Sequence, residues 1–335
     1  MKLASNLLSS WWWEALLIVL LVLTAILGNA LSPYFLTPFN LALMVESMME
    51  IAIMALPMTL IIIVGEIDLS VASTLGLASV IMGITWSAGI PLWLDIVIAL
   101  AVGAVAGLFN GLLVTRLGLP SLVVTLGTLA LYRGLAYVIL GSQAVSNFPG
   151  SYTTFGIGYI PGTLIPWTLL LFIFLALLCV VVLHRSWIGR QLYAIGNNKE
   201  AARFAGIWVN RLKLLLFVLS GLLSALAGVV FTARISSARA DNALGFELLV
   251  ITVVLLGGIN IFGGRGTLIG VILALFVVGG LRNALGLANI SGDIQNTVIG
   301  TLLVLSVLGP NIAQRIQGAL SRRRLAARST QSKTG

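Results

Sequence analysis

Charge is what this chain withholds. Only 9% of its residues are Asp, Glu, Lys or Arg, where soluble domains carry roughly a quarter. The charges it has are clustered. Seven of them, with the single His, lie between His184 and Lys213, and six basic residues without one acid fill Arg315 to Lys333. Nearly everything else is long apolar runs, with a hydrophobic fraction of 59% and a mean hydropathy of +1.10. Such a chain has hydrocarbon as its main solvent. There each backbone polar group must be bonded internally, so the expected fold is an all-α, polytopic integral membrane helical bundle.

A helix needs about 20 apolar residues to cross the hydrocarbon core. Ten segments qualify or nearly do: 15–32, 41–64, 71–89, 92–114, 121–140, 165–183, 212–233, 247–262, 267–287 and 296–309. The eighth and tenth are short. With the N-terminus inside and ten crossings, Lys2, Arg116, Arg185, Arg190, Lys199, Arg203, Arg211, Lys213, Arg265 and the basic tail all fall inside. Only Arg234 and Arg239 fall in outside loops, with Arg282 near a helix end and Arg133 within a span. By the excess of cations on inner loops, both termini are expected to be cytoplasmic. Residues 1–314 then form the transmembrane domain, with one polar inner loop at 184–213, and 315–335 form a basic cytoplasmic tail. The uncharged stretch 141–164 suits an outer loop.

A net charge of +9 invites a nucleic-acid reading. The placement of the cations at the ends of apolar runs argues instead for membrane orientation and, in Arg322–Arg324, a solvated or lipid-facing anchor. No nucleic-acid partner is expected; the bilayer is. Trp11–Trp13 precede a full-length apolar run and read as an interfacial belt beside a retained first helix rather than as part of a cleavable signal. One Cys and one His leave no intramolecular disulfide and no ordinary zinc site, so no metal is expected. None of the four lysines follows a Gly, so the chain has no phosphate-cradling P-loop.

The polar loop contains Asn197-Asn198-Lys199-Glu200-Ala201-Ala202-Arg203-Phe204-Ala205-Gly206. A polar run leads into a short helix that Gly206 can end, with Glu200 in its first turn complementing the helix dipole. An amphipathic helix there would suit a groove on another protein. Glu200-Ala201-Ala202, three residues and then Gly206 resemble the EAA loop of ABC importer permeases, which contacts the ATP-hydrolysing subunit. Gly65-Glu66-Ile67-Asp68-Leu69-Ser70-Val71 resembles the Gly-Gly-Ile-Asp-Leu-Ser-Val-Gly signature of the permeases for ribose, arabinose, rhamnose and autoinducer 2. Gly257-Gly258-Ile259-Asn260 with Gly263-Gly264-Arg265-Gly266-Thr267 resembles that group's glycine-rich segment. Glu66 and Ala72 depart from the commoner glycines.

The resemblance implies a transport subunit rather than an enzyme, in a bacterial inner membrane. It implies a separate ABC ATPase holding ATP and Mg, a periplasmic sugar-binding protein and a second permease subunit, identical or paralogous. No cofactor is expected on this chain. Glu200, Ala201, Ala202 and Gly206 are then expected to couple to the ATPase.

From the residues themselves, a carboxylate at bilayer depth is costly unless hydrated, paired or protonated. Glu66 and Asp68 at a Gly65 break therefore read either as a polar hinge lining the passage or as a plain helix cap. Glu46 and Glu50 share a face of the second span, suiting a structural ion pair, with Arg133 or Arg239 as counter-charge, or a substrate or docking contact. Gly65–Leu69 aligns with Gly257–Ile261, which hints at an internal repeat and brings Asn260 into the expected path. Gly103, Gly107 and Gly111 lie on one face of the fourth span and read as a packing face. Arg234, Arg239 and Asp241 mark the outer loop expected to help dock the binding protein. Two rivals stay open: a proton-coupled secondary transporter using Glu46, Glu50, Glu66 or Asp68, and a membrane-embedded enzyme.

Overall fold

A computed structural model describes residues 12–308. The basic tail 315–335, Lys2 and Trp11 lie outside them. The described chain is almost entirely helical: α1 Trp12–Leu31, α2 Pro38–Ile63, α3 Val71–Ser87, α4 Leu92–Thr115, α5 Ser121–Leu140, α6 Gly150–Ile157, α7 Trp167–Val180, α8 Trp187–Asn197, α9 Lys199–Phe204, α10 Val209–Ile235, α11 Phe246–Leu256, α12 Leu268–Leu287 and α13 Gly292–Leu308. A π turn, Val181–Arg185, extends α7, so that seven helices are long and apolar enough to cross a bilayer. Val71–Ser87, Phe246–Leu256 and Gly292–Leu308 are apolar but shorter.

The core is built around α2. This helix is hydrophobic nearly all round and is buried along most of its length, as a centrally packed helix must be. By contrast α1, α4, α5 and α7 expose large apolar side chains such as Ile26, Val105, Val138 and Leu177, the faces that would meet lipid. The expected packing role of Gly103, Gly107 and Gly111 is what the structure has. A Cβ on Gly107 would stand 2.2 Å from the Phe217 carbonyl oxygen, and one on Gly221 would stand 2.1 Å from that of Gly103. So α4 and α10 meet backbone to backbone, with no side chain between them at these levels.

Three expectations gain detail. The uncharged stretch 141–164 is not an open loop: it contains α6, and strand β1 (Ala144–Val145) pairs antiparallel with β2 (Ala238–Arg239). Trp13 is also tied into the bundle, its Nε1 donating to the Leu256 carbonyl at 3.0 Å and its ring lying against Gly258. The eighth expected span, 247–262, is helical only over Phe246–Leu256. Eleven residues rise about 16 Å, roughly half a hydrocarbon core.

The missing half is non-helical chain. Ala238 packs on Gly83 near the end of α3, Asn242 donates to Ser79 Oγ at 2.9 Å, and the Asn242 carbonyl meets Arg133, whose guanidinium occupies the space that Gly76 leaves. The segment thus descends along α3 from Gly83 to Gly76, about 10 Å of helix rise. Irregular backbone at that depth needs partners for its polar groups. Arg133 supplies them by donating to the carbonyls of Ala240 (2.6 Å), Asn242 (2.8 Å) and Ala72 (3.1 Å). Arg133 is therefore a backbone staple and not the counter-charge of Glu46 or Glu50.

Candidate functional site

The residues singled out in the sequence gather at two opposite ends of the bundle. At one end, α8 and α9 project beside the α2–α3 linker and the glycine-rich segment 257–267. Ser186 caps α8 through the amides of Ile188 and Gly189, and Asn198 caps α9 by accepting from the Ala201 amide at 3.0 Å. Helix α9 ends where Gly206 takes φ +81, while the Ile207 amide reaches back to the Ala202 carbonyl. A left-handed residue at this place favours glycine. Ala202 is buried, Glu200 pairs with Arg203 at 3.3 Å on the exposed side, and Phe204 is 90% exposed. A fully presented aromatic beside a charged pair is what a docking helix offers a groove. Burial and, more strongly, the nearby Lys213 ammonium push Lys199 below its ordinary value.

This projecting element is stitched to the bundle. A Cβ on Gly196 would fall 1.9 Å from the Ile63 carbonyl oxygen, so α8 lies directly on the end of α2. Tyr193 donates to the Gly266 carbonyl at 2.7 Å, and the Gly264 amide donates to the Ile63 carbonyl at 2.8 Å. The last of these satisfies an orphan carbonyl at the α2 terminus. The two aligned segments also end their helices alike: Gly65 and Gly258 both have positive φ, with amides bonded to Ile62 and Leu255. Asn260 turns inward on its own segment, its Oδ1 accepting from the Phe262 amide at 2.9 Å.

Glu66 and Asp68 sit at this same end in different settings. Glu66 forms a mostly buried ion pair with Lys213 at the start of α10. Asp68 is buried with no cation on it. Its Oδ1 accepts from the Ser70 amide (3.0 Å) and hydroxyl (2.6 Å), and its Oδ2 from Ser220 Oγ at 2.7 Å. Asn110 donates to Ser70 Oγ at 2.8 Å, and the Tyr132 hydroxyl donates to Asn110 Oδ1 at 3.1 Å. The carboxylate therefore ties the linker to α3, α4, α5 and α10. The local half of this, Asp68 turning back onto the Ser70 amide, is the cap geometry. The long-range half was not read from the sequence, although Asn110 and Ser220 are polar residues set in apolar runs.

Glu46 and Glu50 belong to the opposite half. Glu50 is 0% exposed and pairs with Arg234 Nε at 2.7 Å, while Glu46 accepts from the Tyr159 hydroxyl at 3.1 Å. The counter-charge is thus Arg234, a residue the sequence reading gave to docking. Arg239 and Asp241 are exposed and bonded to each other through two contacts, 2.7 and 2.8 Å. So the six residues expected on the path do not form one site: Gly65, Glu66, Asp68 and Asn260 lie near α8–α9, and Glu46 and Glu50 lie far from it.

A helical bundle with long apolar helices, a buried polar linker and a projecting capped helix are features of a multi-pass membrane permease. A model of the family described as "Branched-chain amino acid transport system / permease component" matches residues 40–307, and the chain belongs to that permease family. It is 38% identical over 300 residues to an autoinducer 2 import system permease protein LsrD from Enterobacter sp. (strain 638), covering 87% of this chain and 90% of that one. The Klebsiella pneumoniae LsrD is 38% identical over 296 residues (86% and 88%), and the Photorhabdus luminescens LsrD 37% over 269 residues (78% and 80%). No solved structure matches. The ABC sugar-permease resemblance read from the three motifs is thereby borne out.

Proposed function

We propose that this chain is the membrane-spanning subunit of an ATP-driven ABC importer. It carries a monosaccharide-like solute, autoinducer 2 or a rhamnose- or pentose-like sugar, across the bacterial inner membrane. In this reading all ten apolar helices cross or enter the bilayer, both termini are cytoplasmic, and two such subunits enclose the passage. A separate ATPase binds ATP and Mg and grips α9 through Glu200, Ala201, Ala202 and Gly206. A periplasmic binding protein delivers the solute at the opposite face, where the exposed Arg239 and Asp241 and the neighbouring Arg234 help to receive it.

The observation that carries the reading is the stitched α8–α9 element. Displacement of α9 is transmitted through Gly196 and Tyr193 to the end of α2 and to the glycine-rich segment, so a pull from outside moves the helix at the centre of the core. The proton-coupled alternative needs acids free to titrate. Glu50 and Glu66 have cations, and Asp68 has three hydrogen bonds to its carboxylate, which leaves Glu46, bonded to the Tyr159 hydroxyl, as the one acid of the four without such satisfaction.

The test is uptake by the complete complex in proteoliposomes. Gly206→Trp, which forces a bulky side chain into a left-handed conformation, and Glu200→Lys, which reverses the charge in the first turn of α9, should each abolish uptake while membrane insertion is retained. Full uptake by both variants would remove the coupling role, and uptake by the chain without an ATPase, collapsed by a protonophore, would establish the alternative.

A further inference from the structure

A cavity of about 380 Å³ opens where the start of α1 meets the glycine-rich segment, at the end of the bundle that carries α8 and α9. Trp12, Trp13 and Glu14 line one wall, and Asn260, Arg265 and Thr267 another. Its size falls within the range of ligand pockets. It holds two side chains of opposite sign that do not meet. Glu14 is only 9% exposed; its Oε1 accepts from Thr267 Oγ1 at 3.0 Å, and its Oε2 is shielded from solvent with no donor among the described residues. A buried carboxylate oxygen left so is costly. The terminal torsion of a glutamate is soft, so a small turn lets Oε2 meet a donor in the cavity that the side chain lines. Arg265 is exposed, and its guanidinium has no acceptor among the described residues. From the rim of the cavity an apolar stripe runs down α1 through Trp12, Leu16, Val19, Leu23 and Ile26, all of them exposed. Their spacing of three and four puts them on one face. An occupant with a cation, an anion and a long apolar body satisfies all three features at once. The segment 309–335 follows α13, whose Ser306 also lines the cavity, but from Arg315 on it carries six cations and no acid. It answers Glu14 and leaves Arg265 facing like charge.

We propose that this cavity is a headgroup site for an aminophospholipid of the bilayer. The primary ammonium donates to Glu14 Oε2, the phosphate diester accepts from the Arg265 guanidinium, and the acyl chains lie along the α1 stripe. Indoles at the mouth suit that depth, since tryptophan favours the membrane–water interface. Phosphatidylglycerol offers no cation to Glu14, and the quaternary ammonium of phosphatidylcholine offers it no N–H. The site is separate from the cargo's path, but it adjoins the projecting element: Gly266, whose carbonyl takes the Tyr193 hydroxyl, is part of its wall. A bound headgroup therefore braces the segment to which α8 is stitched.

The test uses the full-length protein in detergent, with phosphatidylethanolamine, phosphatidylglycerol and phosphatidylcholine of identical dioleoyl chains as probes. Native mass spectrometry reads the lipid retained, and thermal unfolding reads stability. The wild type should retain phosphatidylethanolamine about tenfold more than either other lipid, the worth of one charge-assisted hydrogen bond, and that lipid alone should raise the unfolding temperature. Glu14→Gln, which keeps an oxygen for Thr267 and removes the charge, should lose the preference. Arg265→Gln changes an exposed side chain, so it should unfold like the wild type without added lipid and still lose the preference; Arg265→Lys should recover part of it. Soluble glycerophosphoethanolamine, which has the headgroup without the apolar body, should not displace the lipid at equal concentration. Equal retention of the three lipids by the wild type, or a preference that survives Arg265→Gln or a folded Glu14→Gln, overturns the site. Displacement by glycerophosphoethanolamine overturns it in favour of a soluble zwitterion. A preference that appears only when Arg322, Arg323 and Arg324 are changed together to Gln overturns it in favour of the tail. Each of these outcomes leaves the importer reading intact.

Discussion

At the scale of single residues, the chain's few ionised groups are used as internal fasteners. The Glu66–Lys213 pair shows how costly each is to disturb. Its two side chains are mostly buried, so removing one partner strands a charge, with a penalty of about 3–5 kcal/mol. Glu66→Gln and Lys213→Met should each lower stability by about that much in denaturant titrations of the solubilised protein. The double variant should recover most of the loss, because both charges have gone. A loss in the double variant equal to the sum of the two single losses would show that the two groups act independently. None of this was legible in advance. The acids were visible as anomalies in apolar runs, but their partners lie 147 and 184 positions away, and no local pattern joins positions so far apart. Arg234 was given to docking for that reason, and Arg133, offered beside Arg239 as one candidate counter-charge, meets three carbonyls instead.

At the scale of elements, the helices were readable because hydropathy alone dictates them in lipid, and Gly206 was readable as a helix end because a left-handed turn has a residue preference. The elements that escaped are those hydropathy does not mark. Helix α6 carries no charge and no apolar stripe, and the half-length of α11 is concealed because Ile259 and Ile261 prolong its apolar run past the Gly257–Gly258 break. The α4–α10 seam was legible as glycines at four-residue spacing, and it makes a sharp contrast possible. Gly107→Leu must force backbones apart, since even a Cβ has no room there, and should cost about 1–3 kcal/mol or more. Gly134 on α5 has nothing within 4 Å of its would-be Cβ. Gly134→Ala should be neutral or up to about 1 kcal/mol stabilising, by helix propensity. Thermal unfolding in detergent distinguishes them, and equal tolerance at both sites would mean that the seam is not tight.

At the scale of the whole molecule, the bundle has two unlike ends: a stitched, projecting one around α8–α9, and one of paired strands and cavity around β1–β2 and α11. The proposed orientation puts the first in the cytoplasm. In a Cys179→Ala background, Arg203→Cys should react with an impermeant thiol reagent only in inverted vesicles, and Arg239→Cys only in right-side-out ones; the reverse pattern would invert the protein. The central position of α2 has a further consequence, for biogenesis. Glu46 and Glu50 leave the ribosome long before Arg234, which stands 184 residues behind Glu50. During that interval α2 carries acids that hydrocarbon will not accept. Nascent chains that stop short of Arg234 should therefore stay with the insertion machinery or be degraded, and synthesis of α10 is the moment at which this membrane protein first becomes able to leave its translocon.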